Sequence, residues 1–226
     1  MITGATTVGE LTQPTASAPT TEMPYWSRRW PARWVRNAML SAVWLPYTRF
    51  FARTTVAGRE HLAGLRGPVI FASNHQSQMD TPAIFSALPA RYRYCSAVAM
   101  WKKFFDPHFR RERHARLEWL GNSLLYWLLA LFFHAFPLPQ AESGSRESLR
   151  FLGGLVSGGW SVIFFPEGGR TETGEFLPFQ SGIGLIAARL GVPVWCQSAC
   201  EGLIRFFTKA RTGLVWGMWK LPSACH

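Results

Sequence analysis

Short apolar runs rich in β-branched and aromatic residues recur along the chain, separated by more polar stretches. Three of them cover residues 67–73, 160–165 and 192–197, and each begins at or directly after a glycine. Runs of this length with such boundaries are typical of buried β-strands. The pattern therefore predicts three buried strands that are widely separated along the chain.

Helical patterns occupy the stretches between these strands. Thr81 followed by Pro82 predicts a helix that begins with Thr81 as its N-cap and has the proline in its first turn. The predicted helices cover residues 81–88, about 147–155 and about 181–190. Alternation of strands and helices predicts a single α/β domain with a central mixed, largely parallel sheet flanked by helices.

The segment before the first strand has a different pattern, in which aromatic and cationic residues interleave. Residues 24–53 contain six Arg and four Trp, and no part of them approaches the roughly 20 apolar residues that a spanning helix needs. One interpretation is an amphipathic helical segment in the plane of a membrane interface, with Arg toward headgroups and Trp toward acyl chains. The other is a helix packed on the domain, since Pro31 and Pro46 interrupt the amphipathic period.

The most hydrophobic stretch covers residues 117–139, and its unbroken apolar centre, residues 124–133, is ten residues long. Ten residues are too few to span a bilayer comfortably. A buried helix is one interpretation; a helix that dips into a membrane or contacts an acyl chain is the other. We divide the chain into a disordered leader (1–23), an amphipathic Trp/Arg-rich helical segment (24–55), the α/β domain (56–212) and a divergent or truncated C-terminus (213–226).

Composition and charge narrow the range of partners. The chain is 48% hydrophobic and only 16% charged, which excludes disorder of the chain as a whole. Its formal net charge of +11 suits nucleic acid, an anionic membrane surface or a phosphorylated substrate. Trp beside Arg is typical of the boundary between water and bilayer, and no motif of a nucleic-acid module is present. We therefore expect a membrane surface as a partner and no nucleic acid.

The four cysteines include no C-x-x-C pair, and Cys225 with His226 has no second ligand pair at zinc spacing. We expect free thiols in a reducing compartment and no metal site. Residues 1–23 lack the charged start and apolar core of a secretory signal peptide. Together with the membrane partner, these features predict a protein associated with the cytoplasmic face of a membrane.

The loop after the first predicted strand carries a possible acid–base pair, His75 and Asp80. Residues five apart on a straight helix do not face each other, so the two side chains meet only if a loop turns Asp80 back toward His75. Asp80 would then fix the imidazole tautomer and leave the other ring nitrogen as a base for a substrate hydroxyl. A His and an Asp at this spacing also occur as solvated loop residues.

The loop after the second predicted strand, residues 165–170, reads Phe-Pro-Glu-Gly-Gly-Arg. Its adjacent glycines, Gly168 and Gly169, would allow backbone N–H groups to approach an anion, and a guanidinium such as that of Arg170 can bind phosphate bidentately. Glu167 would orient Arg170 or bind an acceptor hydroxyl. A tight turn with a surface ion pair is the structural alternative.

The order of these motifs resembles the glycerophosphate and lysophosphatidate acyltransferases. Asn74-His-Gln-Ser-Gln-Met-Asp80 and Phe165-Pro-Glu-Gly-Gly-Arg170 match the first and third motifs of that family, and Gly191-Val-Pro-Val194 resembles its fourth. The resemblance covers about two-thirds of the chain, from residue 56 to residue 202.

The resemblance implies an enzyme that moves a fatty acyl chain to the free hydroxyl of a lysophospholipid, with 1-acylglycerol-3-phosphate as the default acceptor. His75 and Asp80 would be catalytic and deprotonate the acceptor hydroxyl. Residues 167–170 would bind the acceptor phosphate, with Asn74 and Gln140 as further substrate contacts. The donor would be acyl-CoA or acyl carrier protein, used as a substrate, with no other cofactor.

Three departures from the family pattern bear on the acceptor. Gly169 stands where the family usually has Thr, and Gln140 stands where its second motif usually ends in Arg. Residues 213–226 do not resemble the family's closing strands. The alternatives are a catalytically impaired family member and a basic peripheral membrane-binding protein.

Overall fold

A computed structural model describes residues 22–52, 55–57, 59–75, 77–138, 145–169, 180, 182–199 and 213–218. The strands are β1 (Thr55–Ala57), β2 (Ile70–Ser73), β3 (Ser96–Trp101), β4 (Ala135–Leu138), β5 (Ser161–Phe164), β6 (Val194–Ala199) and β7 (Gly213–Met218). The helices are α1 (Trp30–Met39), α2 (Leu45–Ala52), α3 (Asp80–Ala87), α4 (Ala90–Arg93), α5 (Asp106–Phe109), α6 (Arg116–Phe133), α7 (Ser145–Ser157) and α8 (Gly182–Leu190). Single 3₁₀ turns precede α1, follow β1 and lie on either side of α5.

The described strands form one seven-stranded sheet in the order β1-β7-β6-β2-β5-β3-β4. β7 runs antiparallel to β6, and the other neighbouring pairs are parallel. Helices cover both faces of the sheet. Successive residues of a strand point to opposite sides, so Phe71 packs in one buried cluster with α3 and its neighbour Ile70 packs in another with α7. The predicted fold class, a mixed and largely parallel sheet flanked by helices, is confirmed.

The sequence located three of these strands, β2, β5 and β6. It placed β7 in a divergent C-terminus outside the domain, whereas in the structure β7 joins the sheet between β1 and β6. The prediction that Thr81 caps a helix is wrong by two residues, since α3 begins at Asp80 with Met79 as its N-cap. The reason is local: the Asp80 carboxylate accepts the N–H of Ser77 at 2.8 Å, and an acidic side chain in the first turn stabilises a helix N-terminus.

In the Trp/Arg-rich segment a 3₁₀ turn, Tyr25–Arg28, is followed by continuous helix from Trp30 to Ala52. A π-helical turn, Leu40–Trp44, joins α1 to α2, and it precedes Pro46, whose ring clashes with regular α-helical hydrogen bonding. One face packs on the domain: Leu40 and Arg36 are fully buried, and Arg36 Nε donates to the carbonyl of Leu131 near the end of α6 at 2.9 Å. The segment therefore packs on the domain and still exposes Trp30, Trp34, Phe50 and Phe51.

The apolar run that the sequence singled out forms α6. Ser123, Tyr126, Ala130 and Phe133 are buried, whereas much of the rest of the helix is exposed, so the interpretation as a wholly buried helix is wrong. In the part of the chain that the structure describes, α6 and every other helix fall short of the length and apolar content that crossing a membrane requires.

Candidate active site

The site lies at the carboxyl edge of the two central strands. β2 and β5 are parallel neighbours with Ala72 opposite Phe164, so the loops that follow them leave the sheet side by side. Open α/β sheets bind their ligands at this edge. The pairing brings Asn74 and His75 next to Phe165 and Glu167, although the two loops are about 90 residues apart in sequence.

The loop after β2 turns Asp80 back to His75. Nδ1 of His75 lies 2.9 Å from Oδ2 of Asp80, and the backbone N–H of Ser77 donates to the same oxygen. Because the carboxylate only accepts, we assign the imidazole proton to Nδ1. Nε2 then carries the lone pair. Asp80 is 2% exposed and His75 18% exposed, so the acid is held inside the domain and the base stands at the surface of the site.

The loop after β5 holds the same histidine from a second side. Oε1 of Glu167 accepts the backbone N–H of His75 at 3.0 Å, and the ring of Phe165 stacks on the imidazole with centroids 4.1 Å apart. Glu167 is buried. The sequence predicts Glu167 as a partner of Arg170 or of an acceptor hydroxyl, and it does not predict this contact with the His75 backbone.

Of the other predicted site residues, the structure describes Asn74, Gly168 and Gly169. Asn74 is buried directly before His75. Gly168 closes a turn: its φ is 66°, and its N–H donates to the carbonyl of Phe165 at 3.0 Å. Gly169 follows it, and none of the described residues lies within 4 Å of its Cβ position. Arg170 and Gln140, the other predicted substrate contacts, lie outside the described residues.

An apolar cavity of about 200 Å³ opens beside the imidazole. Its wall comes from the helix start after the His75 loop, from β3 and the turn that follows it, and from α6. The lining residues are His75, Gln78, Thr81, Val98, Met100, Phe104, Leu125, Leu129 and Phe133. A base at the mouth of an apolar cavity suits a substrate that joins a hydroxyl or thioester to a hydrocarbon chain.

The cavity wall is the part of the site that the sequence did not specify. α6 was foreseen as a possible acyl-chain contact, and Leu125, Leu129 and Phe133 do line the cavity. Their spacing of four residues, which keeps side chains on one face of a helix, was the available signal. Val98 and Met100 on β3 carried no such signal.

Comparison with known proteins identifies the family to which the chain belongs. A protein-family model described as Acyltransferase matches residues 53–197. The chain is 31% identical over 145 residues to the chloroplastic 1-acyl-sn-glycerol-3-phosphate acyltransferase BAT2 of Brassica napus, covering 64% of this chain and 36% of that protein. It is 29% identical over 145 residues to the human 1-acyl-sn-glycerol-3-phosphate acyltransferase alpha, covering 63% of this chain and 44% of that protein.

The chain thus spans less than half the length of the named relatives. Its fold is similar to the crystal structure of the 1-acyl-sn-glycerophosphate (LPA) acyltransferase PlsC from Thermotoga maritima, with a TM-score of 0.50 at 23% identity. That similarity covers 81% of this chain and 69% of that one, and it supports the fold alone. The family match covers well over half of the chain and includes the His75, Asp80 and Glu167 positions, so the chain belongs to the acyltransferase family.

Proposed function

We propose that this protein transfers a fatty acyl chain from a thioester donor to the free hydroxyl of a lysophospholipid, in the synthesis of phospholipids. The observation that carries the proposal is the hydrogen bond between His75 and Asp80 at the mouth of the apolar cavity. A hydroxyl-activating base and room for a hydrocarbon chain are the two requirements of this reaction. The relatives named as 1-acyl-sn-glycerol-3-phosphate acyltransferases favour that lysophospholipid as the acceptor.

The reaction proceeds by direct attack. Nε2 of His75 takes the proton of the acceptor hydroxyl while the hydroxyl oxygen bonds to the thioester carbonyl carbon. The carbon–sulfur bond then breaks, and the departing thiolate takes the proton from the imidazolium, which restores the base. Asp80 stabilises the imidazolium through Nδ1 and remains ionised throughout. A positioned base of this kind contributes about 10²- to 10⁴-fold to the rate.

The acceptor phosphate binds at the loop of residues 167–170 in this proposal. The described residues leave room around the Cβ position of Gly169, which would let a phosphate oxygen approach the backbone closely, and Arg170 supplies the cation. Gln140 and Asn74 remain proposed substrate contacts. The buried Glu167 supports this loop and the His75 backbone together, so it couples phosphate binding to the position of the base.

The donor is acyl-CoA or acyl carrier protein, and the protein works at the cytoplasmic face of a membrane. Exposed Trp30, Trp34 and Phe50 on a segment that contains six Arg support interfacial binding. Cys95 and Cys196, the cysteines among the described residues, are free thiols.

A turnover assay on the full chain tests the proposal. Acyl-CoA and 1-acylglycerol-3-phosphate in vesicles should give free thiol and diacylglycerol phosphate in equal amounts, measured by thiol titration and lipid mass spectrometry. His75→Ala should abolish both products while vesicle binding is retained, and His61→Ala, at an exposed histidine outside the site, should change neither. Vesicle binding without product from the wild-type protein, across a panel of lysolipids and both donors, would indicate an impaired family member or a binding protein instead.

A further inference from the structure

The helix that lines the cavity also exposes a row of leucines to the outside. Leu117, Leu120, Leu124 and Leu128 are 82, 55, 61 and 37% exposed. Their spacing of three and four residues places them along one side of α6, and we call them the outer stripe. A contiguous apolar row of this kind on a protein surface marks an interaction site.

A set of cations precedes the outer stripe. Between residues 102 and 118 the chain has six Lys or Arg and three Asp or Glu, a difference of +3. The cations, which we call the basic collar, are Lys102, Lys103, Arg110, Arg111, Arg113 and Arg116. Arg110 pairs with Asp106 at 3.3 Å, and Arg111 lies over the Trp119 ring on α6. Leucines beside Arg, Lys and Trp match the boundary of an anionic bilayer, which attracts cations at its surface and accepts apolar side chains below it.

The helix that carries the outer stripe lies between the Trp/Arg-rich segment and the cavity. The ring of Trp127 on α6 lies 5.2 Å from that of Trp26, just before α1, so α6 adjoins the Trp/Arg-rich segment. On the other side, Phe104 and Leu125 line the cavity and are 40 and 38% exposed. The mouth of the cavity therefore lies beside the surface that carries the stripe.

We propose that the outer stripe and the basic collar form a second bilayer-binding surface, separate from the Trp/Arg-rich segment and occupied by anionic phospholipid. This inference rests on the proposed function, in that it concerns where the acyl chains of the substrates are held. α6 contacts the bilayer through the outer stripe and the cavity through Leu125 and Leu129. The partly exposed cavity wall at Phe104 and Leu125 meets the membrane directly, and a chain passes from the bilayer to the cavity without crossing water.

Matched leucine substitutions in the full chain test the surface. Leu124→Gln and the double variant Leu117→Gln/Leu124→Gln remove part of the stripe, and Leu185→Gln on α8, at a leucine of similar exposure (59%), is the control. Sedimentation with vesicles of mixed phosphatidylcholine and phosphatidylglycerol measures binding. We expect the affinity of the double variant for vesicles to fall by about tenfold or more, because burial of apolar groups contributes strongly at interfaces. The affinity of the control should change by less than about twofold.

A charge variant tests the basic collar, and an assay with soluble substrates separates membrane binding from catalysis. Arg113→Glu, also exposed, should weaken binding to the mixed vesicles and leave binding to pure phosphatidylcholine unchanged. Turnover of a short-chain acyl-CoA with a short-chain lysophosphatidate that stays monomeric should match the wild type in every variant. Loss of that turnover in the wild type itself would contradict the proposed function and leave the vesicle comparison intact.

Two outcomes would overturn the inference. One is that the leucine variants and the Arg113 variant all bind mixed vesicles as tightly as the wild type does. The other is normal vesicle binding with lost binding of acyl carrier protein, which would assign the basic collar to an acidic protein partner.

Discussion

The Nδ1 atom of His75 lies 2.9 Å from Oδ2 of Asp80, and the same carboxylate oxygen accepts the N–H of Ser77 at 2.8 Å. The hydrogen bond from Ser77 holds the Asp80 carboxylate in place, and the carboxylate in turn orients the imidazole of His75. The consequence is a histidine whose tautomer is set by a buried acid and whose Nε2 is left for chemistry.

The first prediction concerns Asp80→Asn. The amide no longer stabilises an imidazolium, so kcat should fall by about 10²- to 10⁴-fold with little change in the KM for the acyl donor. Because the two residues act as a unit, a double variant with His75→Ala should be barely slower than His75→Ala alone. Single-turnover and steady-state kinetics on all three variants measure this, and strictly additive losses would contradict the dyad.

The second prediction concerns Glu167, which joins the two loops of the site. Glu167→Ala leaves the partly buried backbone N–H of His75 without its acceptor, a loss of about 1 kcal/mol, and should lower both the stability and kcat. Glu167→Gln keeps an acceptor oxygen and should retain most of the stability. Urea denaturation beside the turnover assay gives the comparison. Equal losses in the two variants would show that the negative charge matters more than the hydrogen bond to His75.

The third prediction concerns Gly169, one of the positions at which this chain departs from the family pattern. Among the residues that the structure describes, nothing lies within 4 Å of a Cβ at Gly169, so we expect Gly169→Thr to fold normally and to add a hydroxyl near the proposed phosphate site. One further hydrogen bond is worth about 1 kcal/mol, which corresponds to a KM for lysophosphatidate about fivefold lower. The KM for an acceptor without an exposed phosphate monoester, such as lysophosphatidylcholine, should not change.

Gly168→Thr provides the steric contrast. Gly168 has a φ of 66°, where a β-branched residue is strained by about 1–3 kcal/mol, so this variant should be less stable than the wild type. A well-folded Gly169→Thr protein with an unchanged KM for lysophosphatidate would remove residues 167–170 from phosphate binding.

What the sequence revealed about the fold depended on the amino-acid composition of each strand. β2 and β5 stand in the middle of the sheet, and their continuous apolar runs identified them. β4 contains Pro137, which argues against a strand interior, yet β4 lies at the edge of the sheet, where proline is tolerated. β3, Ser96–Trp101, contains Ala and Met in place of a β-branched run and carried a weak strand signal.

Contacts within the site could be predicted where the residues are close in sequence and could not be predicted where they are far apart. The turn between His75 and Asp80 followed from their spacing and from Pro82. The bond from Glu167 to the His75 backbone joins residues 92 positions apart, and it depends on the parallel register of β2 and β5. Spacing along one chain does not define that register, and the same holds for the cavity wall contributed by α6.

The fourth prediction concerns the cavity. Leu129→Trp fills part of a space of about 200 Å³, and overpacking costs about 1–3 kcal/mol. We therefore expect kcat/KM for long-chain donors to fall by about tenfold or more, while short-chain donors keep most of their activity. Competition among donors of different length, read by lipid mass spectrometry, measures the shift. Leu185→Trp, at an exposed position away from the cavity, is the control, and an unchanged chain preference for Leu129→Trp would mean that the acyl chain lies elsewhere.

The last prediction concerns His134, which ends α6 in a left-handed conformation and is fully buried. Burial, together with the positive charges of Arg36, Arg28 and Arg33, holds the pKa of His134 well below its ordinary value of about 6.5. Trp160 packs edge-on against the ring at 4.6 Å. The folded protein therefore keeps this histidine neutral in mildly acidic solution.

The sign of the pH effect follows from the protons bound by each state. Above about pH 6.5 the histidine is neutral in both the folded and unfolded chain, and it contributes no pH dependence. Below that pH the unfolded chain binds a proton that the folded protein excludes, so the free energy of unfolding falls as the pH falls. This histidine should remove about 1 kcal/mol between pH 7.5 and 5.5.

His134→Asn isolates that contribution, since Asn tolerates the left-handed conformation and does not titrate. The variant should be less stable than the wild type at pH 7.5, because it loses the contact with Trp160, and the difference should narrow by about 1 kcal/mol at pH 5.5. Urea denaturation at several pH values measures both curves. His108, whose pKa is also lowered mainly by burial, titrates in both proteins and cancels in the comparison. Parallel curves would mean that His134 binds its proton as readily in the folded protein as in the unfolded chain, and the three arginines around it would then have no effect on its charge.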